Sequence, residues 1–133
     1  PRASPNDFPF IPSPTLTRLQ GTWASLEVVR DGTSLPPHLL KTGKRTARDN
    51  HVTISFGGSV IIDALVRLDE SHSPAHVDYC NTAGASAGTL QLGIFELQGD
   101  DACFCMGAPG RPRPTSFAAP PGSGQTLSRW RTQ

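Results

Sequence analysis

The chain has 133 residues, and its 12 basic and 11 acidic residues leave a formal net charge of +1. That length suits one domain able to bury a core of its own, and the near balance of charge argues against duplex nucleic acid as a partner. Hydrophobic residues make up 36% of the chain and Gly and Pro number 13 each, too many turn formers for a helical bundle and a composition that fits many short strands.

Residues 1–18 read as an extended N-terminal arm ahead of a domain over 19–133. Five prolines between Pro1 and Pro14 deny the arm helix and ladder hydrogen bonds. Phe8, Phe10 and Ile11 give it apolar anchors, so it is expected to lie across the domain or plug one end. Thr15 to Gln20 reads as a short helical turn. A first strand is expected from Gly21 to Arg30, ending at the turn signal Asp31-Gly32. Pro36 to Leu40 reads as a second helical turn with Pro at its start. One strand is expected from Lys44 to Phe56, with Gly57-Gly58 as its hairpin turn. Ser59 to Leu68 follows, with Val60, Ile62, Ala64, Val66 and Leu68 on one face. After a polar loop from Asp69 to Pro74, strands are expected at 75–81, 89–98, 101–107, 115–118 and 125–131. No apolar run approaches the roughly 20 residues of a membrane-spanning helix.

About eight short strands with short connections predict an all-β fold. An antiparallel, calycin-like barrel with one or two helical turns is the expected form, because closure removes exposed sheet edges. Eight strands leave a centre that side chains fill or that holds one small ligand. A two-sheet sandwich is the structural rival.

The ordered blocks Leu19-Gln20-Gly21-Thr22-Trp23, Arg30-Asp31-Gly32 and Leu35-Pro36 carry a resemblance that continues from Leu68. There it includes Leu68-Asp69, Pro74 with Val77-Asp78, Leu92-Gly93-Ile94-Phe95-Glu96-Leu97, Gly99-Asp100, Pro109-Gly110, Arg113-Pro114-Thr115-Ser116-Phe117 and Pro121-Gly122-Ser123-Gly124. Together they resemble an uncharacterised bacterial domain family, abundant in planctomycetes, whose members carry LQGTW, GIYELDGD, RPTEF and PGSG blocks. The resemblance implies a calycin-type barrel and no general activity. Gly21-Thr22-Trp23 is also similar to the Gly-x-Trp of lipocalin first strands, whose Trp lies under an Arg from the chain's end. That likeness implies Trp23 as a structural plug, with Arg129 or Arg131 over its indole. The chain is shorter than a typical lipocalin and lacks their paired disulfide cysteines.

Known catalytic signatures are absent: no Gly-x-Ser-x-Gly, no phosphate-binding Gly loop, no His-Glu-x-x-His and no Cys-x-x-Cys occurs. Cys80, Cys103 and Cys105 are an odd set, expected as reduced thiols of a cytosolic protein, with one bridge from Cys80 as the alternative. His76, Asp78 and Cys80 share one strand face at i, i+2 and i+4, but an ordinary polar face is the expected reading, with no metal and no cofactor. Glu27, His51, Asp63, Asp78 and Glu96 are ionisable residues among apolar neighbours. Most are expected to point to water; a charge inside a barrel needs a partner, a ligand or a reaction. Asp63 is the leading exception, since Ile61-Ile62-Asp63-Ala64-Leu65 is apolar on both sides. Asp78 and Arg113, in the family blocks, are expected to be structural.

Two functions of different class follow. One is a binding module for a hydrophobic small molecule, with Glu27, Asp63, Phe95 and Phe104 as ligand-binding residues. The other is a cofactor-free cyclase, isomerase or lyase, with Asp63, His51 and Tyr79 as acid–base groups.

Overall fold

Every second residue of each long strand points to one side, and the strands of this protein wrap until those sides face one another. The computed structural model describes residues 2–133; Pro1 of the expected arm lies outside them. The strands are β1 (Gly21–Arg30), β2 (Thr33–Ser34), β3 (Lys44–Arg48), β4 (His51–Phe56), β5 (Ser59–Asp69), β6 (Ala75–Asn81), β7 (Leu90–Gln98), β8 (Asp101–Met106) and β9 (Thr126–Thr132). Two short helices, α1 (Pro14–Arg18) and α2 (Pro37–Leu40), flank β1 in the chain. From β3 to β9 each strand pairs antiparallel with the next, β1 pairs with β3, and β9 returns to pair with β1. The result is a closed eight-stranded antiparallel barrel, with β2 as a short extra strand on the end of β1. This is an up-and-down topology consistent with a calycin-like fold.

Two strand expectations are corrected, and their errors cancel in the count. The single strand expected over 44–56 is a hairpin, because Asp49 and Asn50 form a two-residue turn with Arg48 opposite His51. Asp49 takes the left-handed conformation there (φ 56°), which Asp tolerates better than most residues. Residues 115–118, expected as a strand, belong instead to the long connection between β8 and β9. That connection crosses the outside of the barrel, where Phe117 and Ala119 cover Ile94, Cys103, Cys105 and Leu127.

The interior is built by alternation. Trp23, Val52, Ile54, Ala64, Val66, Val77, Tyr79, Phe95, Ala102, Phe104, Met106 and Trp130 form one buried cluster. On β5, Ile62 to Leu68 alternate inward as the pattern predicts. A register shift at the Ile54/Ser55 end of the β4–β5 hairpin leaves Val60 and Ile61 exposed instead. Gly93 faces the interior beside Met106, where an added Cβ would run into Met106 Sδ and the Cys105 carbonyl oxygen.

One end of the barrel is closed by α1. Ser13 caps it, its Oγ accepting from Leu16 N at 3.0 Å, with Pro14 in the first helical position. A helix of five residues has little stability of its own; burial of Leu16 and Leu19 holds it. Trp23 Nε1 donates to Leu19 O (3.0 Å), and the Gln20 side chain donates to Asp49 O (2.7 Å) and accepts from Asp49 N (2.6 Å). The arm lies along the outer wall. Ala3 N donates to Gly88 O (2.8 Å), Asn50 Nδ2 donates to Phe8 O (2.9 Å), and Phe8 is buried under the Arg67 guanidinium.

Trp23 is 2% exposed and ties α1 to the barrel. Trp23→Ala is expected to cost about 3–5 kcal/mol in urea unfolding. Arg129→Ala, which removes only an exposed pair with Glu27, is expected to cost no more than about 1 kcal/mol.

Candidate functional site

Arg45 is the anomaly of the interior. β3 is a polar strand, Lys44-Arg45-Thr46-Ala47-Arg48, but pairing with β1 and β4 turns Arg45 and Ala47 inward and the other three outward. Arg45 stands opposite Trp23 on β1 and Ile54 on β4, and it is 2% exposed. Its guanidinium crosses the interior to lie 4.4 Å from the ring centroid of Phe104 on β8. Nε and Nη1 are buried and find no hydrogen-bond partner among the described residues.

Nor does a carboxylate reach it. The 11 acidic residues stand on the outer face of strands (Glu27, Asp63, Asp69, Asp78, Glu96, Asp101), in turns (Asp31, Asp49, Glu70, Asp100) or in the arm (Asp7). A guanidinium does not deprotonate to escape burial. The Phe104 face offsets only part of the cost of removing this charge from water.

A groove of about 390 Å³ opens beside α1 at the closed end. Thr15, Arg18, Ser73, Pro74, Ala75, Phe95 and Leu97 line it, together with the carboxylates of Glu70 and Glu96. Thr15 Oγ1 donates to Glu70 Oε1 at 2.6 Å across it. Phe95 stacks on Phe104 at 5.9 Å between centroids and 20° between planes. Two packed aromatic rings therefore stand between the groove and the buried guanidinium.

The expected site residues divide between the two faces of the wall. Phe95, Phe104 and Tyr79 are buried inside. Glu27 is outside, paired with Arg129 (Nε–Oε1 3.0 Å). Arg129 and Arg131 both point outward, the latter pairing with Asp101, because Trp130 between them takes the inner position. Neither covers Trp23; the guanidinium in the core is that of Arg45.

His51 and Asp63 do meet, through a short contact between His51 Nε2 and Asp63 Oδ1. Thr82 Oγ1 donates to the Asp63 carbonyl oxygen at 2.9 Å and lies 3.2 Å from the same carboxylate oxygen. This group lies on the outer wall, with the His51 side chain 47% exposed, while Tyr79 lies on the opposite side of the sheet. Asp63 therefore does not line the interior, although its flanking residues are apolar. Leu65 is half-buried on the outer face, and Ile61 is displaced at the register shift.

Asp78 sits on the outer wall between two arginines. Arg67 donates to Oδ2 through Nε (3.2 Å) and Nη2 (2.9 Å). Arg113 Nη1 lies 2.8 Å from Oδ1 but is directed at Gly93 O, to which it donates at 2.7 Å. The Arg113 contact with Asp78 is thus electrostatic rather than a well-aligned hydrogen bond. The trio ties β5 and β6 to the β8–β9 connection.

Arg45 escapes sequence reasoning because Lys44 to Arg48 carries no apolar alternation to mark an inner face. The three cysteines are free and buried. Burial pushes the Cys103 thiol up to about 11, and burial likewise raises Cys105 and Cys80. Such thiols are protonated and poor nucleophiles at neutral pH.

Between pH about 9 and about 11 the native Cys103 keeps a proton that the unfolded chain releases. Its contribution to stability is complete below the ordinary thiol value of 9.0 and is lost as pH rises through about 11. Urea unfolding is therefore expected to show stability falling across that window, with a shallower fall in Cys103→Ala. Compared with protein-family models, with curated proteins and with solved structures, the chain matches none.

Proposed function

We propose that this barrel binds a small apolar molecule carrying an anionic group, seated in the groove beside α1 with that group directed toward Arg45. The observation that carries the reading is a guanidinium 2% exposed, with two donors unused and no carboxylate facing it. Carboxylates and phosphates match the planar donor fork of arginine and satisfy two of its N–H groups at once. Phe95 and Phe104, stacked between groove and guanidinium, offer aromatic faces to the apolar body. Seating the anion requires these rings to shift.

A lipocalin-like barrel suits this role, and the resemblance of the ordered sequence blocks to the uncharacterised planctomycete-type barrel domains supports the same reading of the fold. Binding is preferred to turnover because the imidazole–carboxylate pairs, His51 with Asp63 and His72 with Asp69, stand on the outer wall and share no space with Tyr79.

The test compares naphthoate with its uncharged amide by isothermal titration. The protein is expected to prefer naphthoate by at least about tenfold, as a charge-assisted hydrogen bond requires. Arg45→Met is expected to abolish that preference. It is also expected to leave the fold as stable or to raise stability by about 1–4 kcal/mol, since a buried unpaired charge is replaced by an apolar chain of similar length. Equal affinity for the two compounds, or a preference that survives in Arg45→Met, would refute the reading.

A further inference from the structure

A second cluster lies at the rim of the groove, on the outer face. Asp69 and His76 are register partners at the ends of β5 and β6, so the strand pair itself sets their side chains together. His72, from the connection between these strands, folds back onto His76. Their rings are parallel to within 3°, with centroids 3.7 Å apart. His72 Nε2 lies 3.5 Å from Asp69 Oδ2. The carboxylate is held in place by its other oxygen, since Asp69 Oδ1 accepts from Ser71 N (3.0 Å) and Ser71 Oγ (2.6 Å). One potential ligand atom from each of the three residues lies within 4.8 Å of the others.

This spacing is close to what a metal demands. Ligands at roughly 2.0–2.1 Å from a tetrahedral zinc ion are about 3.4 Å from one another. The Asp69–His72 contact already meets that distance. The stacked rings hold their in-plane lone pairs in parallel planes, so the half-exposed His72 ring must rotate out of the stack for both imidazoles to reach one ion.

We propose that Asp69, His72 and His76 form a site for one divalent, late first-row transition ion such as Zn²⁺. Two imidazole nitrogens and one carboxylate oxygen serve as ligands, and the fourth position is open to water. The ion ties the β5–β6 connection, which supplies Ser73 and Pro74 to the groove wall, to the end of the sheet. The inference is independent of the interior site and of Arg45.

The test is isothermal titration of the untagged protein with Zn²⁺ in excess Mg²⁺, which prefers oxygen ligands. One ion per chain is expected. His72→Ala and His76→Ala are each expected to weaken binding at least about tenfold, no less than the loss of an outer-shell partner costs. His38→Ala, on exposed α2, is expected to change nothing. As a readout that needs no variant, the imidazole nitrogen resonances of His72 and His76 in the unmodified protein should shift with Zn²⁺ while those of His38 stay. Failure to bind, equal affinity in all variants, or no response of the His72 and His76 resonances would overturn the proposal.

Discussion

The pairing of β9 with β1 is the contact on which the rest of the molecule depends. It runs from Trp23 opposite Thr132 to Arg30 opposite Thr126, interrupted by a bulge between Ser25 and Glu27. Without it the sheet would have two long edges and a curved face open to water. With it, alternate residues of eight strands are forced into a centre only a few side chains wide. Trp23 and Trp130 are 2% and 1% exposed for that reason. The bulge also changes the parity of β1, so that Glu27 emerges on the outside beside Arg129.

The same closure creates the one electrostatic conflict of the core. Outside, four arginines have carboxylate partners: Arg67 and Arg113 share Asp78, Arg129 meets Glu27, and Arg131 meets Asp101. These pairs are solvated to different degrees, and the exposed ones contribute little stability. Inside, Arg45 has an aromatic face and no countercharge. A core selected only for stability has no use for an unpaired guanidinium, since an apolar residue of similar volume would serve at least as well. Its presence is the observation on which the proposed binding role rests.

The polar chemistry of the surface is set by which strands meet at which end. The α1 end brings together the helix, the β5–β6 connection and the Phe95 ring of β7, and this convergence forms the groove. Asp69 and His76 face each other there because antiparallel strands close their register at the connection. At the opposite end of β8, the connection to β9 returns over the outside and buries Cys103 and Cys105. Both thiols are thereby removed from solvent and from one another's chemistry with outside reagents, whereas the rim histidines stay accessible.

The class of fold was legible in the residues themselves. Period-two alternation in Ser59 to Leu68, turn signals at Asp31-Gly32, Gly57-Gly58 and Gly99-Asp100, and the absence of helical periodicity specify short antiparallel strands. Alternation has no direction, however. Leu92 and Ile94 make an apolar row as convincing as any, yet Phe95 and Leu97 face the interior, while Ile94 packs beneath the β8–β9 connection. The turn at Asp49-Asn50 went unread because it lacks a glycine. Asp63, flanked by apolar residues on both sides, proved to stand on the outer wall, and Arg45, in a strand of almost unbroken polarity, proved to stand inside. Sequence alone determined that strands form and which residues share a face between bulges and register shifts, since both depend on local geometry. Only the tertiary structure decided which face is inner and which charges lack partners, because sheet closure joins residues as distant as Trp23 and Thr132 and no local pattern encodes that pairing.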